Sequence, residues 1–382
     1  MGTAWIVDAV RTPTGRRNGV YAGMHPVSLG AVPLRALMAR TGLDPAVVDD
    51  VVYGCVTPVG EQGMNVGRLA ALEAGFPVTV TGVQVNRMCG SAQQAIHFGA
   101  MGVASGFQDL VLAGGVEHMS RVPMGSDMFL DGNMAALPDD LNWRYTIIPQ
   151  GRSAELVAQR FELTRAELDA YSYESHQRAA AAQDNGWLDN EIVPVDVGGK
   201  TVRHDEGVRR DTSLVKLASL KPAFQEDGVV TAGSSSQISD GAAAVLLASD
   251  AAVRKYNLKP RARIVSMAVA GVDPTIMLTG PVPASEDALR RAGITVKDLA
   301  AIEINEAFAC VALGCGRALG LDFAKTNLYG GAIANGHPLG ASGGKLLATL
   351  LNSLERSGGR YGLQTMCIGF GQATATVIDT NV

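Results

Sequence analysis

The sequence predicts an α/β protein built from two similar halves with a different segment inserted between them. Three observations carry this. Strand-like runs alternate with helical runs in the first and last thirds of the chain, the pattern of a sheet covered on both faces. The order of elements in those two thirds is the same. The stretch from about Glu117 to Ser236 has another texture.

In the first third AWIVDAV reads as a strand and VSLGAVPLRALMARTG as a helix closed by Gly42. DDVVYGCV is a strand and NVGRLAALEAG a helix. VTGVQV, a helix after Cys89 and the strand DLVLAGG follow. The inserted segment sets Met119, Met124, Met128 and Met134 among Gly, Pro and Asp. It continues with the polar helix TRAELDAYSYESHQRAAAAQ, the run EIVPVDV and a basic stretch holding Arg209 and Arg210. In the last third ARIVSMAVAG and LAAIEIN are strand-like, and EAFACVALGCGRALG is helical. GGAIANGHPLGASGGKLLATLLNSLERSG gives a glycine-rich loop and a helix. YGLQTMCIGFGQATATVI is a strand pair broken by glycines. VVYGCV can be laid over AIEINEAF, and CGSAQQAIHFGAMGVASG over GASGGKLLATLLNSLERSG. Two such halves packed together form a site where their loops meet.

With 382 residues, 47% of them apolar and 18% charged, the chain can bury a large core. A net charge of −5 speaks against a dedicated nucleic-acid binder. MGTAWIVDAV enters a strand pattern at once, without the features of a signal peptide. No run reaches the length of a membrane span, so membrane insertion is not expected. Cys55, Cys89, Cys310, Cys315 and Cys367 are odd in number and widely spaced, which predicts free thiols in a reducing cytoplasm. Cys310 and Cys315 have no nearby His, so no metal site is expected.

Four positions could carry chemistry. Cys89 stands where a helix begins, and the unpaired N–H groups and dipole there favour a thiolate. On the local string it reads equally as a buried apolar residue. His337, in NGHPLGASGG, is either a structural hydrogen-bond partner or the base that a cysteine nucleophile needs. Asn305 ends a strand and opens NEAFA, where helix capping is a sufficient explanation, and Glu306 suits the helix dipole. Cys367, in TMCIGFGQA, is poorly placed for core packing; Gly369 and Gly371 expose N–H groups able to bind an oxyanion.

CGS at Cys89, NEAFA at Asn305, GHPLGASG at His337 and CIGFGQ at Cys367 resemble the four active-site loops of the thiolase family. VDAVRTPTGR, LAGGVEHMS and TAGSSSQISDGAAA agree, so the resemblance runs from end to end. It implies a five-layer α-β-α-β-α fold. The N-terminal half would comprise 1–117 with 237–261, the C-terminal half 262–382, and a loop domain at 118–236 would cover coenzyme A. It implies an acetyl-CoA acyltransferase, a 3-ketoacyl-CoA thiolase of the degradative type acting on fatty or steroid-derived acyl groups. Coenzyme A is the cosubstrate and no cofactor stays bound. Cys89 would be acylated, His337 would take the thiol proton, and Asn305 would hold a water that binds the thioester oxygen together with His337. Cys367 would move protons, and the N–H groups of Cys89 and Gly369 would form a second oxyanion hole. Ser236 would touch the pantetheine arm and Arg209 the CoA nucleotide. A homodimer or homotetramer is implied, with room for β-oxidation partner subunits.

Pro149 and Gln150 stand where short-chain biosynthetic relatives carry a His-Met pair, which points away from acetoacetyl-CoA synthesis as the main role. Ala373 follows GFGQ where many relatives have glycine. Decarboxylating ketoacyl synthases, which share the architecture, use a histidine or asparagine where Cys367 stands. Loss of any of the four residues would suggest a non-catalytic docking subunit; all four are present, and partner docking can coexist with catalysis. The methionines suit either an adaptable acyl pocket or a small core within the insert.

Overall fold

The structure, a computed structural model, describes residues 2–382 except 131, 132 and 135, with the side chains at 130, 133, 134, 139, 142 and 143 also outside the description. Met134 is among the latter.

Nine strands follow one another across the main sheet: Leu299–Ile304, Tyr361–Ile368, Gln372–Asp379, Ala262–Gly271, Trp5–Arg11, Ser239–Ala248, Leu110–His118, Asp50–Gly54 and Thr81–Val85. Apart from the edge strand Thr81–Val85, the two halves have one plan. In the N-terminal half Asp50–Gly54 is parallel to both Thr81–Val85 and Leu110–His118. Ser239–Ala248 and Trp5–Arg11 then add antiparallel. In the C-terminal half Leu299–Ile304 is parallel to Tyr361–Ile368, and Gln372–Asp379 and Ala262–Gly271 add antiparallel. The strand overlay drawn from sequence is therefore the one the topology follows. Among the described residues, the strand ladder between the halves has two register pairs, Trp5 with Arg263 and Ile6 with Ala262. Two layers thus merge at one narrow seam.

The helix after Cys89 (Ser91–Ser105, the cysteine helix) and the helix after His337 (Ser342–Ser357, the histidine helix) pack on each other between the layers. Pro26–Thr41 covers the outer face of one sheet and Pro281–Ala292 that of the other. The order is α-β-α-β-α. The central core draws Ile6, Val52, Ile96, Leu247, Leu347 and Ile378 from both sheets and both inner helices. The inner helices can approach because Gly343 has no side chain: a Cβ there would lie 2.2 Å from the Gln93 nitrogen.

The strand Ser239–Ala248 was not visible in the sequence. SDGAAAVLLA holds three consecutive alanines, which favour a helix. Every residue of it is buried between two neighbouring strands, and small side chains suit a position pressed on both faces. The helices Gln150–Arg160 and Pro281–Ala292 were missed as well.

One buried side chain ties the insert to both halves. Arg11, at the end of its strand, is fully buried. Its Nε donates to Glu191 Oε1 at 2.6 Å, and its Nη1 and Nη2 donate to Asp205 at 2.7 and 3.0 Å. Glu191 also accepts Thr349 Oγ1 at 2.8 Å and Asn352 Nδ2 at 2.9 Å from the histidine helix. N-terminal half, insert and C-terminal half meet at this guanidinium. Removing it would strand two buried carboxylates. Arg11→Met is expected to lower the unfolding free energy by about 3–5 kcal/mol, measured by urea denaturation. A loss below about 1 kcal/mol would show that the carboxylates find other partners.

Candidate active site

Cys89 sits on a tight turn ahead of the cysteine helix. Met88, just before it, has a φ of 44°, in the left-handed region that non-glycine residues seldom adopt. The turn is tied by Ser91, whose Oγ donates to the Met88 carbonyl at 2.6 Å and accepts the Arg87 N–H at 2.9 Å. Gly90 is the helix N-cap. A Cβ on it would lie 2.3 Å from Ile368 Cδ1, so glycine lets the end of the strand that holds Cys367 pack closely on the Cys89 loop.

His337 is buried in the loop before the histidine helix. Ser342 Oγ donates to the Pro338 carbonyl at 2.9 Å. A hydroxyl engaged in this way favours the tautomer in which Nδ1–H donates across its 2.6 Å contact with His337. In that tautomer Nε2 keeps its lone pair. Asn305 Nδ2 lies 3.3 Å from that Nε2. Capping does not explain Asn305, because its helix begins only at Ala309, with Phe308 as N-cap. Nor does Glu306 serve the dipole. It accepts Tyr171 Oη, Ser175 Oγ, Asn327 Nδ2 and the Ile333 N–H, clamping the insert's long helix, Arg165–Asp184, to the loop.

Cys367 is fully buried in an apolar cluster with Ile304, Phe308 and Cys310, so the expectation that it packs poorly is corrected. The hairpin after it brings the Gly369 N–H to the sulfur of Cys89, alongside the N–H of Cys89 itself. The side chain of Gln150 reaches the same sulfur. Cys89 shares an apolar cluster with Leu339 and Leu346, which flank the histidine loop and helix, and with Met119. No hydrogen bond joins the Cys89 thiol to the imidazole among the described residues; catalytic contacts of this kind commonly tighten only when substrate is bound.

The electrostatics differ from the sequence expectation of a ready thiolate. Burial pushes the Cys89 thiol up to about 11, against the Gly369 and Cys89 N–H groups and Gln150, which pull it down. Desolvation outweighs the helix end. Burial, then the charge of Lys345, lowers His337 to about 3. Burial, then the neighbouring thiol of Cys89, holds Cys367 well above the ordinary thiol value. The site is therefore a neutral thiol, a neutral imidazole and a second neutral thiol.

Ser236 is half-buried, its N–H bonded to the Ala307 carbonyl at 2.9 Å beside the Asn305 loop. Arg209 is exposed on the insert, and its guanidinium makes no ion pair among the described residues. Of the methionines, Met119 lies in the Cys89 cluster and Met124 is exposed. Five cysteines are free, and no metal-binding cluster occurs among the described residues.

Sequence reasoning singled out neither Ser342 nor Lys345, and it missed Glu117. This buried carboxylate accepts N–H groups from Val56 at 2.8 Å, Thr57 at 3.2 Å and Gly340 at 2.8 Å, and the Gln62 amide at 2.9 Å. It holds the loop after the strand Asp50–Gly54 against the histidine loop. Its place within LAGGVEHMS was the available signal. Gln150 had been noted as a departure from the family, without a contact assigned.

Residues 4–251 match the thiolase N-terminal domain and residues 258–380 the thiolase C-terminal domain. The chain is 48% identical to a steroid 3-ketoacyl-CoA thiolase of Mycobacterium tuberculosis, covering 99% of this chain and 94% of that protein. It is 46% identical to a beta-ketoadipyl-CoA thiolase of Acinetobacter baylyi, covering 99% and 100%. The crystal structure of human mitochondrial 3-ketoacyl-CoA thiolase superposes with a TM-score of 0.92 at 38% identity, over 100% of this chain and 99% of that one. With both domains matched, and with relatives and a solved structure similar over nearly the whole length, the chain belongs to the thiolase family and is an acyltransferase.

Proposed function

We propose that the protein is a degradative 3-ketoacyl-CoA thiolase, cleaving a 3-ketoacyl-CoA with CoA to acetyl-CoA and a shortened acyl-CoA. The observation that carries the reading is the setting of His337: a buried, neutral ring held at Nδ1 by Ser342 Oγ, with Nε2 at 3.3 Å from the Asn305 amide nitrogen. It sits among the loops that also hold Cys89 and Cys367.

The steps follow from that state. Cys89 begins as a thiol, so its proton passes to His337 Nε2 as sulfur attacks the keto carbon. The N–H groups of Cys89 and Gly369 receive the tetrahedral oxyanion. The bond between the α and β carbons breaks, and its electron pair leaves as the acetyl-CoA enolate. His337 and a water held by Asn305 stabilise the enolate oxygen. Cys367 protonates the enolate carbon. In the second half, the CoA thiol gives its proton to Cys367 and attacks the acyl-sulfur carbonyl. Cys89 leaves and regains a proton from His337. One covalent intermediate shared by two half-reactions gives ping-pong kinetics.

The insert, 118–236, would cover CoA between the halves 1–117 with 237–261 and 262–382. Ser236, beside the Asn305 loop, suits a contact with the pantetheine arm, and the unengaged Arg209 suits the nucleotide phosphates. The relatives named for steroid-derived and ketoadipyl substrates support an acyl group larger than four carbons. The alternative is an acetyl-CoA C-acetyltransferase that makes acetoacetyl-CoA. Free thiols fit a reducing cytoplasm, and no helix among the described residues is long and apolar enough to cross a membrane.

Self-association is part of the reading. Thr81–Val85 is an edge strand. Val83 on it, and Phe98, Met101 and Phe107 on and after the cysteine helix, are exposed and apolar. An unprotected edge beside such side chains suits pairing with a second copy.

Three outcomes test this. Incubation with acetyl-CoA should add one acetyl group, located on Cys89 by peptide mass spectrometry; Cys89→Ala should abolish both label and turnover, and label elsewhere would sink the mechanism. A thiolysis panel from acetoacetyl-CoA to β-ketoadipyl-CoA and a steroid-side-chain 3-ketoacyl-CoA should favour the larger substrates. Turnover of the four-carbon substrate alone would replace the lead with the biosynthetic alternative. Val83→Lys should shift the particle from dimer or tetramer to monomer in light scattering; an unchanged mass would move the interface elsewhere.

A further inference from the structure

The histidine helix carries a cation that the proposed chemistry does not use. Lys345 lies in its first turn and is buried. Its Nζ donates to the carbonyls of Asn335 at 3.0 Å and Gly336 at 2.8 Å. These are the two residues directly before His337. The His337 N–H is anchored separately on Ser239 Oγ at 3.1 Å. Lys345 also borders a cavity of about 10 Å³ shared with Glu303, Asn305 and Asn335. Glu303 Oε2, Asn305 Oδ1 and Asn335 Oδ1 are buried without a partner among the described residues. The ammonium thus stands between the backbone that carries the base and unsatisfied oxygens, one of which belongs to Asn305.

We propose that Lys345 is a positioning residue for the base. Its ammonium pins the carbonyls of Asn335 and Gly336 so that His337 presents Nε2 toward Asn305, and its charge adds to burial in disfavouring a proton on the imidazole between turnovers. This rests on His337 as the base. Each turnover needs a ring free to accept the thiol proton, and a cation close behind the ring disfavours any earlier occupant of that site. The cation also favours prompt return of the proton once the acyl group has left.

The charges facing Lys345 come from three parts of the chain. Asp205 and Glu191 of the insert and Glu303 of the strand Leu299–Ile304 support the ammonium, and Arg11 opposes it. Burial outweighs them and lowers Lys345 from an ordinary 10.5 to about 8. As pH rises through that value the ammonium is lost. The amine binds the two carbonyls more weakly, so the loop loosens and activity falls. A purely structural lysine would leave no such ionisation in the kinetics.

The test is the pH dependence of Cys89 acetylation by acetyl-CoA in a single turnover. No free CoA thiol titrates in that half-reaction. The wild-type rate should fall on the alkaline side with an apparent pKa of about 8. Lys345→Arg, which stays charged, should carry the rate past that point without the fall. Lys345→Gln should be slower by about tenfold to a hundredfold at every pH, with no inflection near that value and half-saturation changed less than about twofold. The same alkaline inflection in Lys345→Arg, or a wild-type rate in Lys345→Gln, overturns the proposal. Should the Gln variant not fold, the Arg variant decides alone. His337→Asn acetylated at the wild-type rate would instead overturn the assignment of the base, so the two failures are separable.

Discussion

Arg11 is the contact on which the rest of the arrangement depends. Its guanidinium lies where two sheets, an inner helix and the insert converge, and it engages Glu191 and Asp205 in buried, short, multiply supported pairs. A buried pair of this kind gives little net stability relative to an apolar replacement, but removal of one partner is costly. It therefore acts chiefly as a specification of position. Glu191 passes the constraint to Thr349 and Asn352 on the histidine helix, one and two turns beyond Lys345. The register of that helix fixes Ser342, and Ser342 holds the histidine ring at Nδ1.

The site is made by loops from both halves. The cysteine loop and the histidine loop each feed a helix of the middle layer, so both helix ends face one cleft. Burial keeps the two thiols and the imidazole neutral. A thiol held near 11 is a poor target for chance oxidation or alkylation. The reactive state would arise only when a polarised carbonyl is present to accept the charge.

Much of this was legible in the sequence. Alternating strands and helices gave the layers, and the four loop motifs marked Cys89, Asn305, His337 and Cys367. What failed depended on contacts distant along the chain. Asn305 suited a cap because the local string cannot show that its helix starts three residues beyond Glu306. Cys89 suited a thiolate because a helix end is local, whereas its desolvation comes from Met119, Leu339 and Leu346. The strand Ser239–Ala248 was hidden because its burial between two others overrides the preference of alanine. Ser342 and Lys345 lay inside a recognised motif, but their roles rest on which atoms they meet.

The insert departs from the sheet after His118 and returns by Asp240, and these two residues are register partners on adjacent antiparallel strands. Topologically the whole segment is one long hairpin connection. Its length and content can change without a new strand crossing or a new sheet order. A lineage could thus exchange the cover over the substrate as a cassette while both halves and their loops stay as they are. The constraint on such a graft is chemical: it must deliver two carboxylates to Arg11, as Glu191 and Asp205 do here.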